Sequence, residues 1–93
     1  MASTYILKSQ KNGKYYVGST NRDVQERLED HNSGRVAYTK NLRPWILVVN
    51  QWYDTVDEAR HVERKLKSFK SKKIIEKIVD DGYIKLRTHS SVG

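Results

Sequence analysis

Apolar positions alternate early in this chain and later recur at helical spacing, and each change of period marks a new element. Tyr5-Ile6-Leu7 and Tyr16-Val17-Gly18 are two runs of strand formers on either side of Asn12-Gly13, a pair that favours a two-residue hairpin turn. With that turn, odd positions of the first strand oppose even positions of the second. Tyr5 and Tyr16 then face one side of the sheet and Tyr15 the other, and a longer loop of even length keeps the same parity. Thr20 and Asn21 are cap candidates for a helix over residues 22–32, with Val24 and Leu28 inward and Gly34 as its stop. Trp45 to Tyr53, rich in β-branched and aromatic residues, reads as a third strand with much of it buried. Thr55 and Glu58 form a capping box for a second helix, in which Val56, Ala59, Val62, Leu66 and Phe69 recur at steps of three and four. Ser68 or Ser71 opens a third helix over 72–80, with Ile74, Ile75, Ile78 and Val79 inward and Gly82 closing it. The order is β-β-α-β-α-α. Ile84 and Leu86 alternate in the last segment, which is either a short strand or a frayed tail.

Ninety-three residues suffice for one domain, read here as residues 1–82 with 83–93 as a C-terminal extension. The absence of cysteine excludes disulfides, thiolate nucleophiles and cysteine-ligated zinc, and leans towards a reducing cytoplasm. No apolar run approaches the ~20 residues of a membrane span, and the N-terminus lacks the basic-then-apolar pattern of a signal peptide, so the expectation is a soluble cytoplasmic protein. Lys and Arg number 18 against 11 Asp and Glu, a net charge of +7 with pI ≈ 9.7, so the surface attracts polyanions and nucleic acid is the first candidate partner. The charge is uneven: Arg64, Lys65, Lys67, Lys70, Lys72 and Lys73 fall in one stretch without an acid, a block that contacts phosphates or stays solvated. Residues 33–44 interleave Arg35, Tyr38, Lys40 and Arg43. That mixture suits gripping a backbone and stacking on bases, or forms an ordinary surface loop with Tyr38 tucked against the core.

Arg27 and His31 are four apart on the first helix and share a face beside the Val24 and Leu28 stripe, where a side chain can border a cleft. Taken alone, His31 reads as a surface histidine near the helix C-terminus. Glu63 stands on the edge of the second helix's apolar stripe, four residues before Lys67. By itself it reads as half of a surface ion pair worth roughly 0.2–0.5 kcal/mol. Two phenols (Tyr5 and Tyr16), a guanidinium, an imidazole and a carboxylate on one surface are, together, groups that metal-dependent phosphodiester hydrolysis uses.

These residues also carry a resemblance. Tyr5-Ile6-Leu7, Gly13-Lys14-Tyr15-Tyr16-Val17-Gly18-Ser19-Thr20, Arg27-Leu28, His31-Asn32-Ser33-Gly34, Tyr38-Thr39, Arg43-Pro44-Trp45 and Glu63 with Lys67 occur in the order found in the GIY-YIG nuclease superfamily, and the chain resembles its small stand-alone URI-type domains. The resemblance implies an α+β fold, a three-stranded antiparallel sheet flanked by helices, and hydrolysis of DNA phosphodiester bonds with one divalent cation, Mg2+ or Mn2+. Position by position it implies Glu63 as the metal ligand, Arg27 as holder of the scissile phosphate, and Tyr5 or Tyr16 as general base assisted by the other and by His31. Lys67, Lys70, Lys72 and Lys73, with Arg35, Tyr38, Lys40 and Arg43, are the expected DNA contacts, on a monomer or weak dimer. Ser19 stands where some family members place a lysine. A free tyrosine has a pKa near ~10, so a base role requires positive charge beside the phenol. The substrate class in this reading spans branched, flapped and single-stranded DNA in repair or recombination. The competing reading is a nucleic-acid-binding module on the same scaffold with little or no turnover.

Overall fold

The computed structural model describes residues 2–69 and 71–84. Its elements are β1 (Ala2–Ser9), β2 (Tyr15–Thr20), α1 (Val24–Ser33), β3 (Trp45–Tyr53), α2 (Val56–Ser68) and α3 (Lys72–Asp81), with one 3-10 turn, Lys40–Leu42, before β3. The strands form an antiparallel sheet in the order β2-β1-β3. β1 is central and almost wholly buried, which is why it carries small or apolar residues over most of its length. The sheet is covered on both faces. Tyr5, Leu7, Val24 and Trp45 pack on the α1 side, joined by Tyr16, Leu28, Leu42 and Leu47. Ile6, Val17, Val49, Val62, Leu66, Ile75 and Ile78 pack on the α2 and α3 side. Ala59 and Thr4 let α2 approach β1 closely: Ala59 is fully buried, and the Thr4 hydroxyl donates to its carbonyl at 2.7 Å.

The hairpin turn is longer than Asn12-Gly13 alone, but its parity is the expected one. Ser9 and Lys14 flank a four-residue loop, with Ser9 N donating to Lys14 O and Gly13 N, at φ 76, donating to Ser9 O. The Ser9 hydroxyl accepts from Lys11 N and Asn12 N, which satisfies the extra amides that a two-residue turn would not have. Tyr5 therefore opposes Gly18 and Leu7 opposes Tyr16, so the two tyrosines share a face while Tyr15 packs on the other.

Other expectations need correction. α1 begins at Val24 and is capped by Asp23, whose carboxylate accepts from Gln25 N. Thr20 is still paired with Ser3 in β2, and its hydroxyl closes a turn by accepting from Arg22 N. β3 is an edge strand and is only partly buried, leaving Ile46 and Trp52 exposed. A bulge lies where Ile6 opposes Val49 but Leu7 opposes Leu47, and the extra residue sends Val49 to the α2 side and Leu47 to the α1 side. Ile74, expected inward, is exposed, because Ile75 and Ile78 already fill the face of α3 turned to the sheet. Ile84 is buried in that same core, while Leu86 and the rest of the tail lie outside the described residues.

Candidate active site at the edge of β2

The site forms because a central-strand tyrosine reaches over an edge-strand glycine. The Tyr5 ring lies directly across Gly18, where an added Cβ would meet Tyr5 Cζ and Oη at 2.6 Å. Only a residue without a side chain leaves room for that crossing. Gly18→Ala is therefore expected to push the phenol out of register, costing about 1–3 kcal/mol of stability by overpacking. Any cleavage activity falls with it, and paired melting and single-turnover measurements on the variant check both effects.

Beyond Gly18 the Tyr5 hydroxyl meets α1. It lies 3.1 Å from His31 Nε2, and His31 Nδ1 lies 2.9 Å from Thr39 Oγ1. Thr39 Oγ1 also donates to Val36 O, so it accepts from His31 Nδ1–H. That leaves Nε2 unprotonated, and the Tyr5 hydroxyl donates to it. Thr39 is in turn held by the Trp45 indole, which donates to Thr39 O at 2.9 Å. His31 is fully buried rather than lining the cleft. Burial, followed by the charge of Arg27, pushes its imidazole below the ordinary histidine range, against the pull of Asp30. Burial pushes the Tyr5 phenol up, opposed by the Arg27 guanidinium beside it. Desolvation works against Arg27, but Tyr5 and Asp30 outweigh it and raise its pKa further; its Nη1 is 3.2 Å from Asp30 Oδ2. The resting state is thus a neutral imidazole accepting from a neutral phenol next to a fixed cation.

This arrangement predicts a pH dependence of stability. His31 has a folded pKa below its unfolded value of about 6.5, so the unfolded chain binds more protons and stability is lost as pH falls from about 6.5 towards the folded pKa. Melting temperatures taken between pH 7 and pH 5 are expected to drop more steeply for the parent than for His31→Gln.

The Tyr16 ring also packs against the histidine, tilted at 59° with ring centroids 4.8 Å apart, and lies 5.9 Å from the ring of Tyr38 and 6.2 Å from that of Trp45. Its hydroxyl has no hydrogen-bond partner among the described residues, in contrast to that of Tyr5. Glu63 arrives from α2, the helix on the opposite face, by sitting at the β2 edge. Ser19 Oγ donates to Glu63 Oε1, and Lys67 Nζ donates to Glu63 Oε2. The Lys67 ammonium also lies 5.8 Å from the Tyr16 ring centroid. Ser19 follows Gly18 and so points to the α2 side, which links the Tyr5 crossing to the Glu63 carboxylate; that carboxylate is close enough to act on the Tyr5 phenol. The structure thus brings Tyr5, Tyr16, Arg27, His31 and Glu63 to one edge of the sheet.

The expected DNA contacts are dispersed. Lys67 and Lys72 line a groove along β2. Tyr38 projects into solvent at 82 % exposure, not tucked against the core. Lys40 and Arg43 border a second, smaller hollow with Lys11 and Asn41. Arg43 spends its guanidinium on the carbonyls of Lys40 and Asn32, and Arg35 pairs with Asp30. Lys73 is exposed, and Lys70 lies outside the described residues.

Three residues in this constellation escape a reading confined to the catalytic types. Ser19 positions Glu63 and Thr39 sets the His31 tautomer. The Asn32 amide donates to Trp45 O and accepts from Trp45 N, pinning the end of α1 to the open edge of β3. Short polar residues in loops are common, and only the fold shows which atoms they reach.

For a divalent cation the donor set fits: Glu63 offers a carboxylate that is 21 % exposed, with the Ser19 hydroxyl beside it. Among the described residues no cluster of three His, Asp or Glu side chains exists, so the fit is to a hard ion that keeps most of its water and binds through one carboxylate and a substrate phosphate.

Comparison with known proteins agrees with the geometry. Residues 1–76 match the family model described as the GIY-YIG catalytic domain. A UPF0213 protein of Staphylococcus saprophyticus is 38 % identical over 79 residues, covering 84 % of this chain and 93 % of the relative. A UPF0213 protein of Bacillus pumilus is 41 % identical over 70 residues, 74 % of this chain and 69 % of its own length. Among solved structures, the solution NMR structure of a UPF0213 protein from Bacillus halodurans is 32 % identical, with a TM-score of 0.53, covering 86 % of this chain and 84 % of that one.

Proposed function

The chain belongs to the GIY-YIG family, whose fold is that of a nuclease, and on that premise we propose that it is a divalent-metal-dependent endonuclease that hydrolyses DNA phosphodiester bonds. The observation that carries this reading is the buried His31 accepting from Tyr5 beside Arg27, because a neutral imidazole paired with a phenol is an arrangement for moving a proton. Arg27 holds the scissile phosphate and keeps Tyr5 next to positive charge. As water attacks the phosphorus, its proton passes to Tyr5 Oη and the phenolic proton to His31 Nε2, whose protonated form is oriented by Thr39, while the P–O bond to the departing strand end breaks and its oxygen takes a proton from solvent. Tyr16, with its hydroxyl unengaged, hydrogen-bonds the attacking water or the phosphate. Glu63 would hold Mg2+ or Mn2+, which would supply Lewis-acid charge to the phosphate oxygens. Lys67, which neutralises Glu63 in the resting site, takes the place of the lysine that Ser19 replaces, and Lys72, Lys73, Lys40 and Arg35 serve the flanking phosphates.

A second reading, a binding module without turnover, draws on one observation: both Glu63 oxygens are already engaged by Ser19 and Lys67. Incubating the protein with labelled branched, nicked, single-stranded and duplex DNAs, with and without Mg2+ or Mn2+, separates the two. Metal-dependent cleavage of any of them supports the enzyme; binding of all without cleavage supports the module.

A further inference from the structure

Next to Glu63, a groove of about 620 Å³ follows the outer edge of β2 towards the start of α3. Its floor is apolar, made by Tyr15, Val17, Leu66 and Ile75, while Lys14, Lys67 and Lys72 stand around it and no acidic side chain among the described residues lines it. Tyr38 stands at its mouth with its ring in solvent, 5.9 Å from that of Tyr16. Lys67 belongs both to this groove and to the catalytic edge, through Glu63 and the Tyr16 ring.

An apolar floor ringed by cations needs an occupant with a flat apolar face and a negative charge on one short unit. A nucleotide has both, and the volume is that of a small-molecule pocket, not of a surface that follows a double helix. A base within a duplex has both faces covered by its neighbours and cannot lay one on Tyr38 or on the floor; an unstacked base can. An acid-free segment of protein would bring no counter-charge to Lys14 and Lys72, and the chain's own residues 85–93 carry Lys85 and Arg87 and no acid. We propose that this groove receives one unpaired nucleotide of the strand whose adjacent phosphate lies at Glu63, so that the protein acts on single-stranded or unpaired DNA in preference to continuous duplex. The second half of that statement rests on the nuclease reading; the binding half does not.

The test is a metal-free binding comparison by fluorescence anisotropy, using a labelled single strand, the same strand built from abasic units, and the matching duplex. The abasic strand keeps every phosphate and removes every base. The parent is expected to bind the base-bearing strand about ten-fold more tightly than either of the others, as stacking on an aromatic side chain requires. Tyr38→Ala, a change at an exposed ring, should lose most of that preference while binding the abasic strand as the parent does. Equal affinity for the abasic strand, or tighter binding of the duplex, overturns the proposal even if the protein cleaves DNA. The expected preference without cleavage of any DNA once metal is added would instead retain the groove and remove the nuclease reading.

Discussion

Glu63→Gln is expected to abolish the proposed metal-dependent cleavage while the folded protein persists. The substitution keeps the side-chain length and an oxygen that can still accept from Ser19, but it removes the carboxylate proposed to hold a cation. Loss of a group that stabilises charge in the transition state costs about 10²–10³ in rate, and loss of the proposed metal ligand should reach at least the upper end of that range. The structural cost is small, because what is lost is an i,i+4 pair with the half-exposed Lys67, an interaction worth about 0.3–0.5 kcal/mol in a helix. Single-turnover cleavage at saturating Mg2+ and thermal melting, taken together, decide the outcome. A large fall in melting temperature with cleavage retained would mean that Glu63 only ties α2 to β2.

Tyr5→Phe and Tyr16→Phe each lower the cleavage rate by about 10² or more, as expected when a hydroxyl that handles a proton is removed and the ring volume kept. Their effects on stability should differ. Tyr5→Phe leaves His31 Nε2 buried without a donor, at a cost of about 1–3 kcal/mol, whereas Tyr16 gives up a hydroxyl with no partner among the described residues. Tyr53→Phe is the control: its hydroxyl is buried without a partner among the described residues, and Tyr53 packs in the core on the α2 side of the sheet, away from Tyr5 and Tyr16. It should cleave as the parent does and melt no lower. The rates are compared well below the melting temperature of Tyr5→Phe, so that unfolding does not imitate lost chemistry. If both site variants cleave like the parent, the phenols take no part and proton transfer falls to His31.

The order of elements and the pairing of faces were legible in the sequence because they depend on local rules. A strand has a side-chain period of two, so any loop of even length puts Tyr5 and Tyr16 on one face, and the error in loop length did not matter. The helices were legible from their period and caps, apart from α1, whose start depended on how far β2 ran before releasing the chain. The run from Trp45 to Tyr53 concealed its bulge, since a continuous apolar stretch carries no alternation from which to read a change of face. What the sequence alone could give of the site was its residue types, an expectation that they share one surface and, through resemblance, expected roles. Its assembly was a tertiary outcome. Glu63 and Tyr5 lie on opposite sides of the sheet and come within electrostatic reach because Tyr5 passes over Gly18 at an edge strand, where no further strand among the described residues separates α1 from α2. The burial of His31 is of the same kind: its place on α1 follows from spacing, but its lowered pKa follows from burial against the Tyr5 and Tyr16 rings and Thr39, and then from the charge of Arg27, with Thr39 brought there by a loop whose path no local pattern specifies.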